Sequence, residues 1–256
     1  MRKTTFLLLM LTSLSFAGET KLIWSEEFDY TGLPDSTKWT YETGFIRNRE
    51  LQFYTARRAE NARVENGMLI IETRHDNYQN SPITSASLTT EGKGAWKYVR
   101  VEVRAKIPTG LGMWPAIWML GVNYRSVGWP ACGEIDIMEN VGYDPEVIHA
   151  NVHTKAYNHM RGNNKGDRIT IKAPWEDFHT YALEWRRDRL DFFVDNVKYF
   201  TYENEGTGAD AWPFDQPHYL IINSAFGGSW GGSKGVDPRV LPQKFYIDYV
   251  RVYQLE

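Results

Sequence analysis

The feature that most constrains the fold is a series of short apolar runs separated by turn residues. No window keeps apolar residues at three-and-four spacing for three helical turns, so the pattern excludes a helical core. Residues 99–107 instead alternate apolar and charged side chains, as a half-buried strand does. Residues 63–64 and 68–73 flank Asn66-Gly67, a dipeptide typical of tight β-hairpin turns.

Further strands are predicted at residues 22–28, 181–186, 190–194, 197–201, 219–224 and 245–253, with a tight turn at Asp195-Asn196. About a dozen strands must bury their apolar faces against each other, in two stacked sheets or a barrel. We therefore predict an all-β sandwich of two stacked antiparallel sheets. Because no linker, repeat or change of composition follows residue 17, residues 18–256 are predicted to form one domain.

The first residues resemble an export signal. Arg2 and Lys3 form a positive start, residues 5–16 an apolar run, and Ser15 and Ala17 supply the small residues of a cleavage site. The alternative is a membrane anchor, but the run is shorter than the roughly 20 apolar residues that span a bilayer. We predict a signal peptide at residues 1–17 and a secreted or periplasmic protein with no membrane association after cleavage.

Composition excludes several classes of function. Lys plus Arg is 29 against 32 for Asp plus Glu, so no basic excess exists to bind nucleic acid. The single cysteine, Cys132, excludes an internal disulfide and a thiolate metal cage. We interpret it as a buried packing residue, because nearby acids raise the pKa of a thiol. Aromatic residues reach 14%, with 10 Trp, which suits β-structure and the binding of flat sugar rings.

The strongest cluster of chemical groups is the run Glu-Ile-Asp-Ile-Met-Glu that begins at Glu134. On a regular strand Glu134 and Asp136 share one face, whereas Glu139 would point into the core at high cost. A β-bulge near Ile137 or Met138 would return Glu139 to the face of the other two acids. Repulsion among three carboxylates separates their pKa values, which can make an acid and a base from one residue type.

The alternative interpretation is an edge strand with solvated acids. The preceding segment argues against it, because residues 113–120 carry Trp114 and Trp118, which can stack on sugar rings. Two Trp residues four positions apart can also be core residues, and we expect at least one of them to be so. The acids and the aromatic residues together favour a carbohydrate-active site.

With these motifs, the chain resembles glycoside hydrolase family 16, and within it the bacterial laminarinases, which are endo-β-1,3-glucanases. The resemblance covers essentially all of residues 18–256 and implies a β-jelly-roll sandwich with a substrate cleft on its concave face. Val99 and Ser87 depart from the family, which often has Gly and Arg there; this affects subsite details and not the chemistry. The matching segments are residues 24–29, 48–55, 106–110, 114–118, 133–139 and 248–253.

The resemblance also implies roles for individual residues. Glu134 is expected to be the nucleophile and Glu139 the general acid and then base, with Asp136 tuning Glu134. His153 is expected to line the cleft, although a lone histidine is otherwise a core residue. A zinc site at His149 and His153 is not predicted, since further ligands are lacking. The remaining substrate-binding residues are expected to be Asn48, Trp114, Trp118 and Trp230.

Family members similar to this chain bind a structural calcium ion through an aspartate of the last strand and main-chain carbonyls near the N-terminus. The matching positions are Asp248, Gly67 and Glu27, and oxygen ligands of this kind suit Ca²⁺. The alternative is that Asp248 accepts only local hydrogen bonds. No cofactor is expected for catalysis.

The predicted function is a secreted, monomeric, retaining endo-glucanase that hydrolyses β-1,3-glucosidic bonds in laminarin-type polysaccharides. Retention is predicted because a bulge would place Glu134 and Glu139 roughly 5–5.5 Å apart. The nearest alternative is the same chemistry on mixed-linkage β-1,3-1,4-glucan or a marine galactan. A carbohydrate-binding lectin on the same fold would lack at least one acid, and all three are present. A purely structural domain is disfavoured, because clustered acids destabilise a sheet.

Overall fold

The structure is a computed structural model that describes residues 20–255. The predicted signal peptide at residues 1–17 lies outside the described residues. Within the described part, no helix is both long and apolar enough to cross a membrane. The strands are β1 Lys21–Glu26, β2 Thr40–Glu42, β3 Phe53–Tyr54, β4 Ala62–Glu65, β5 Met68–Tyr78, β6 Ser81–Ser85, β7 Ser87–Thr89, β8 Val99–Lys106, β9 Met113–Gly121, β10 Glu134–Glu139, β11 Val147–His153, β12 Lys165–Thr170, β13 His179–Trp185, β14 Arg189–Val194, β15 Val197–Glu203, β16 His218–Phe226 and β17 Gln243–Gln254.

The strands form two sheets, and helical structure in the described residues is limited to α1 at Tyr124–Val127 and two 3₁₀ turns. A ten-stranded sheet has the order β15-β14-β13-β8-β17-β5-β6-β3, with β1 beside β17 and β4 beside β5. A seven-stranded sheet has the order β12-β11-β10-β9-β16-β7-β2. Neighbouring strands are antiparallel except β3 and β6. The predicted two-sheet sandwich is therefore confirmed.

The core fills the space between the two sheets. Along β8 the buried residues alternate with half-exposed ones, as the sequence pattern predicted. Val101 and Val103 of the ten-stranded sheet and Met119 and Leu220 of the seven-stranded sheet belong to one buried cluster. Each such side chain contributes about 1.5–3 kcal/mol through removal from water. This burial fixes which face of each strand points away from the core.

Two tight turns agree with the sequence prediction, and several strands were missed. Asn66 and Gly67 have φ of 54° and 73°, and Asp195 and Asn196 have φ of 48° and 67°, the left-handed backbone that such two-residue hairpin turns require. Strand β9 was missed because all nine of its residues are buried, which removes the alternation. Strand β12 was missed because its sequence, Lys-Gly-Asp-Arg-Ile-Thr, is mostly polar and exposed.

Candidate active site

A β-bulge in β10 gathers the three acids on one face of the seven-stranded sheet, which we name the acid face. Toward β9 the pairing passes from Asp136 directly to Met138, which leaves Ile137 as the extra residue. Ile137 and Met138 are both fully buried in the core. Glu139 thereby turns to the side that carries Glu134 and Asp136. The bulge predicted near Ile137 or Met138 is confirmed.

Glu134 accepts a hydrogen bond from an indole and lies near an imidazole. The Nε1–H of Trp129 donates a hydrogen bond of 3.0 Å to Oε2 of Glu134. Nε2 of His153 lies 3.7 Å from Oε1 of Glu134 and 3.4 Å from Oδ2 of Asp136. Burial and a neighbouring His159 lower the pKa of His153 to about 3, so its ring is neutral. A neutral imidazole can offer its Nε2–H to either acid.

Glu139 has its own hydrogen-bond donors, different from the donor to Glu134. The Nε1–H of Trp114 donates to Oε1 of Glu139 at 3.0 Å, and Nδ2 of Asn151 donates to Oε2 at 3.3 Å. Burial raises the pKa of Glu139 to about 7, while these two hydrogen bonds act in the opposite direction. Glu139 can therefore hold a proton near neutral pH and still lose it during a reaction cycle.

The three acids titrate together. Burial, with the negative charge of Glu139, raises the pKa of Glu134 to about 8. Burial and the charges of both glutamates raise the pKa of Asp136 well above its ordinary value, which favours its protonated form. The first proton that the glutamate pair loses can leave either residue. An ionised Glu134 beside a protonated Glu139 is one of these states, and the Trp129 N–H stabilises it.

Glu134, Asp136 and His153 each place a ligand atom within 4.8 Å of the other two. Two carboxylates and a histidine can hold a metal ion. The same arrangement also suits two carboxyl groups, those of Glu134 and Asp136, that lie beside a neutral imidazole. His149 does not belong to this group.

Of the predicted substrate-binding residues, Trp114 contacts Glu139 directly, and Trp230 packs against Trp114. Trp114 meets Trp230 edge-to-face at 5.6 Å between ring centroids, and Trp230 meets His149 at 5.1 Å. Asn48 is exposed, and its carbonyl accepts the backbone N–H of Ser229 at 2.8 Å. Asn48 therefore adjoins the loop that carries Trp230. His153 lies beside the acids, as described above.

Trp118 lies on the acid face in a different setting from the one expected. Its Nε1–H donates to Asn223 at 2.8 Å, and the guanidinium of Arg47 lies 4.8 Å from its ring centroid. Arg47 thus covers a ring face that we expected a sugar to use. The expectation that at least one of Trp114 and Trp118 is a core residue is confirmed, because both are buried, in hydrophobic clusters smaller than the main core.

Some residues of the site were missed from the sequence. Asn151 lies opposite Asp136 and two positions before His153, so strand alternation in β11 could have identified it. Trp129 and Arg47 lie in loops, where no periodicity shows which way a side chain points. Cys132 is fully buried as expected, and burial with the charge of Glu134 raises the pKa of its thiol to about 12.

Strand register brings the three predicted calcium positions to one region of the ten-stranded sheet. Residue 247 pairs with residue 69 beside the Gly67 turn, and Glu26, which precedes Glu27, pairs with Val250. The carboxylate of Asp248 accepts from Arg104, and both oxygens of Glu27 accept from Arg251.

The carbonyls of Glu27 and Gly67 accept no turn or loop backbone hydrogen bond within residues 20–255, which fits main-chain ligands. Asp248 would have to release Arg104 to bind an ion. The Arg104 pair by itself matches the alternative that Asp248 makes local contacts.

Comparison with known proteins assigns the chain to a family. The sequence profile of "Glycosyl hydrolases family 16" matches residues 49–251. A β-glucanase of Rhodothermus marinus is 50% identical over 271 aligned positions, which cover 99% of this chain and 95% of that protein.

Solved structures agree with this assignment. The laminarinase of Rhodothermus marinus superposes with a TM-score of 0.90 at 50% identity, covering 93% of this chain and 99% of that one. A non-specific endo-β-1,3(4)-glucanase of family 16 superposes with a TM-score of 0.88 at 49% identity, covering 93% and 92%. With a profile over most of its length and half of its residues shared with such relatives, the chain belongs to glycosyl hydrolase family 16 and is a glycoside hydrolase with the jelly-roll fold of the laminarinases.

Proposed function

We propose that the protein is a retaining endo-β-1,3-glucanase that hydrolyses laminarin-type glucans. The observation that supports it most is the bulge at Ile137, which puts Glu134 and Glu139 on one face with separate hydrogen-bond donors. The relatives named β-glucanase and laminarinase supply the substrate class. The aromatic wall of Trp114 and Trp230 beside Glu139 suits a pyranose ring.

In the first step, the carboxylate of Glu134 attacks the anomeric carbon of the sugar. The glycosidic C–O bond breaks, and its electron pair goes to the leaving oxygen, which takes the proton of Glu139. A covalent glycosyl-enzyme results, with Glu139 ionised. The Trp129 N–H orients Glu134, and a protonated Asp136 keeps a second negative charge away from it.

In the second step, the ionised Glu139 removes a proton from water as that water attacks the anomeric carbon. The bond between the sugar and Glu134 breaks, and its electrons return to the carboxylate. Two displacements at the same carbon give net retention. Asn151 and Trp114 stabilise Glu139 while it is ionised, since both are donors.

A second candidate is the same reaction on mixed-linkage β-1,3-1,4-glucan. The structural likeness to a non-specific endo-β-1,3(4)-glucanase at 49% identity supports it. A marine galactan remains the more distant alternative. The lectin hypothesis is weaker, because Glu134, Asp136 and Glu139 are all present and lie on one face.

The release of reducing ends from laminarin, lichenan and agarose, measured side by side, tests this proposal. We expect the highest kcat/KM on laminarin, a lower value on lichenan and none on agarose. A preference for agarose would overturn the substrate assignment. Binding of laminarin without any release of reducing ends would favour the lectin.

We also propose the setting in which the enzyme acts. The leader-like residues 1–17 support export to the periplasm or the medium, with residues 18–256 as a single, monomeric catalytic domain. The convergence of Glu27, Gly67 and Asp248 supports a structural Ca²⁺ in the ten-stranded sheet. Such an ion would bind the folded state and take no part in the chemistry.

A further inference from the structure

A row of residues crosses the acid face from the catalytic strand to the far edge of the seven-stranded sheet. Strand pairing puts Glu139 opposite Ala116, Ala116 opposite Asn223, Asn223 opposite Ser87, and Ser87 opposite Glu42. Residues directly opposite in antiparallel strands point to the same side. Glu42 and Ser87 therefore share the face that carries the acids.

This row extends well beyond the reacting sugar. Neighbouring strands lie about 4.8 Å apart, so Ser87, three strands from Glu139, is about 14 Å from it across the sheet. Glu42, one strand further, is about 19 Å away. Groups at this distance can contact a polysaccharide only at a sugar residue remote from the bond that breaks.

The side chain of Arg47 joins this end of the row and extends from it toward the acids, where its charge helps to lower the pKa of Glu134 against the larger effect of burial. Its guanidinium donates two hydrogen bonds to the carboxylate of Glu42 and one of 3.3 Å to Oγ of Ser87. It also lies over the ring of Trp118. These contacts fix the position of the guanidinium, and its side chain keeps 21% of its surface exposed. A guanidinium has five N–H groups, so two remain for a ligand after these three bonds.

The charge of Arg47 is matched by nearby carboxylates. Glu42 forms the bidentate pair, and Glu50 lies 4.0 Å from Nε of Arg47. The attraction of Arg47 holds the pKa of Glu42 below its ordinary value, so the pair is ionised on both sides. A matched pair offers hydrogen-bond donors to hydroxyl groups and has no surplus charge to attract a sulfate or carboxylate.

We propose that Arg47, held by Glu42, is a specificity-determining residue that binds hydroxyl groups of a neutral sugar beyond the one that reacts. This inference rests on the proposed glucanase function, because it assumes that a glucan chain crosses the acid face. Arg47 and Glu42 would thus select substrates by the length of the sugar chain and by its charge. Neither residue touches the reacting atoms.

The test compares β-1,3-linked oligosaccharides of increasing length and the polymer. The main variant is the double substitution Arg47→Met with Glu42→Gln, because removal of one partner alone leaves a buried charge unpaired. Arg47→Lys keeps the charge and loses the fork of donors. The matched control is Arg189→Met, which removes an arginine–aspartate pair, with Asp191, on the other sheet. Thermal unfolding of each variant checks the fold.

For the double variant we expect a kcat/KM about 10- to 100-fold lower on long oligosaccharides and polymer, mainly through KM. We expect a smaller loss on the shortest oligosaccharide that is cleaved, because it has the fewest sugars beyond the one that reacts. Arg47→Lys should fall between the double variant and wild type, and Arg189→Met should match wild type. If the double variant loses kcat/KM equally at every length, or loses none, the inference about Arg47 is overturned. Cleavage of the same substrates by the wild type would still uphold the proposed function. If the wild type cleaves none of these substrates, the proposed glucanase function is wrong, and the inference that rests on it falls with it.

A second measurement addresses charge. Glu42→Gln removes the bidentate partner of Arg47 and leaves only Glu50, 4.0 Å away, beside its charge. The ratio of kcat/KM for neutral over carboxymethylated β-1,3-glucan should therefore fall several-fold relative to wild type. An unchanged ratio would contradict the selection of neutral sugars by the matched pair.

Discussion

Glu134 and Glu139 are the same residue type on one strand, and their hydrogen-bond partners distinguish them. Glu134 accepts a hydrogen bond from the indole N–H of Trp129, whereas Glu139 accepts one from the indole of Trp114 and one from the side-chain amide of Asn151. Burial raises both pKa values, so the pair holds a proton where isolated carboxyls would not. The roles proposed here therefore depend on neighbours within one contact of each carboxylate.

Replacement of the nucleophile is the first test at this scale. Glu134→Ala should lower turnover by several orders of magnitude, because no group remains to form the glycosyl-enzyme. Azide should partly restore it by attack on the opposite sugar face, giving a glycosyl azide of inverted configuration. Glu139→Gln should lower kcat by about 10²–10⁴-fold. Asp136→Asn should lower turnover by less than either glutamate variant. Near-normal activity of either glutamate variant would refute the roles assigned to Glu134 and Glu139.

The pH dependence tests the proton on Glu139. Activity should fall as pH rises above about 7, when the glutamate pair loses its second proton, because Glu139 then lacks the proton that the leaving group needs. Trp114→Phe removes a donor that stabilises the ionised form, so the pKa of Glu139 should rise and the alkaline limb of kcat/KM should move to higher pH.

Trp118→Phe is the matched control, since the Trp118 N–H donates to Asn223 and not to an acid. Its alkaline limb should stay at the wild-type pH. A shift to lower pH in Trp114→Phe would contradict the assignment of Glu139 as the general acid.

At the scale of the element, the bulge in β10 decides which acids share a face. Without it, Glu139 would point into the core, where Ile137 and Met138 now lie fully buried. A carboxylate there would be desolvated without its present donors. The bulge therefore serves both stability and the chemistry of the strand.

Deletion of Ile137 should restore regular pairing with β9 and turn Glu139 away from Glu134. We expect activity to be lost or severely reduced, together with a lower melting temperature. Ile137→Val keeps the bulge and removes one methylene, so it should retain most activity at a cost of about 0.5–1.5 kcal/mol in unfolding free energy. Full activity in the deletion variant would contradict the role of the bulge.

Sequence reasoning reached this element because a buried carboxylate is costly, so the spacing of Glu134 and Glu139 required an extra residue. It reached β8 through alternation and missed β9, which is buried throughout. It also missed the cover of Trp118 by Arg47, a contact between residues 71 positions apart that no local pattern encodes. Loop residues of the site depend on tertiary packing in this way.

At the scale of the molecule, one sheet carries the acids and the other carries the predicted calcium positions. The chelator EDTA should lower the melting temperature if an ion bound at Asp248, Gly67 and Glu27 stabilises the folded state, and added Ca²⁺ should restore it. Asp248→Asn should abolish this response, whereas Asp237→Asn, at an exposed ion pair, should keep it. A melting temperature insensitive to chelator in the wild type would rule out the ion.

The two-sheet sandwich matters to the reaction because it holds both glutamates on one rigid strand, where two displacements at one carbon become feasible. The anomeric form of the first product tests this account most directly. Proton NMR should follow laminarin hydrolysis from its first minutes, before mutarotation mixes the anomers. We predict that the β-anomer appears first, as retention requires. Initial appearance of the α-anomer would contradict the account.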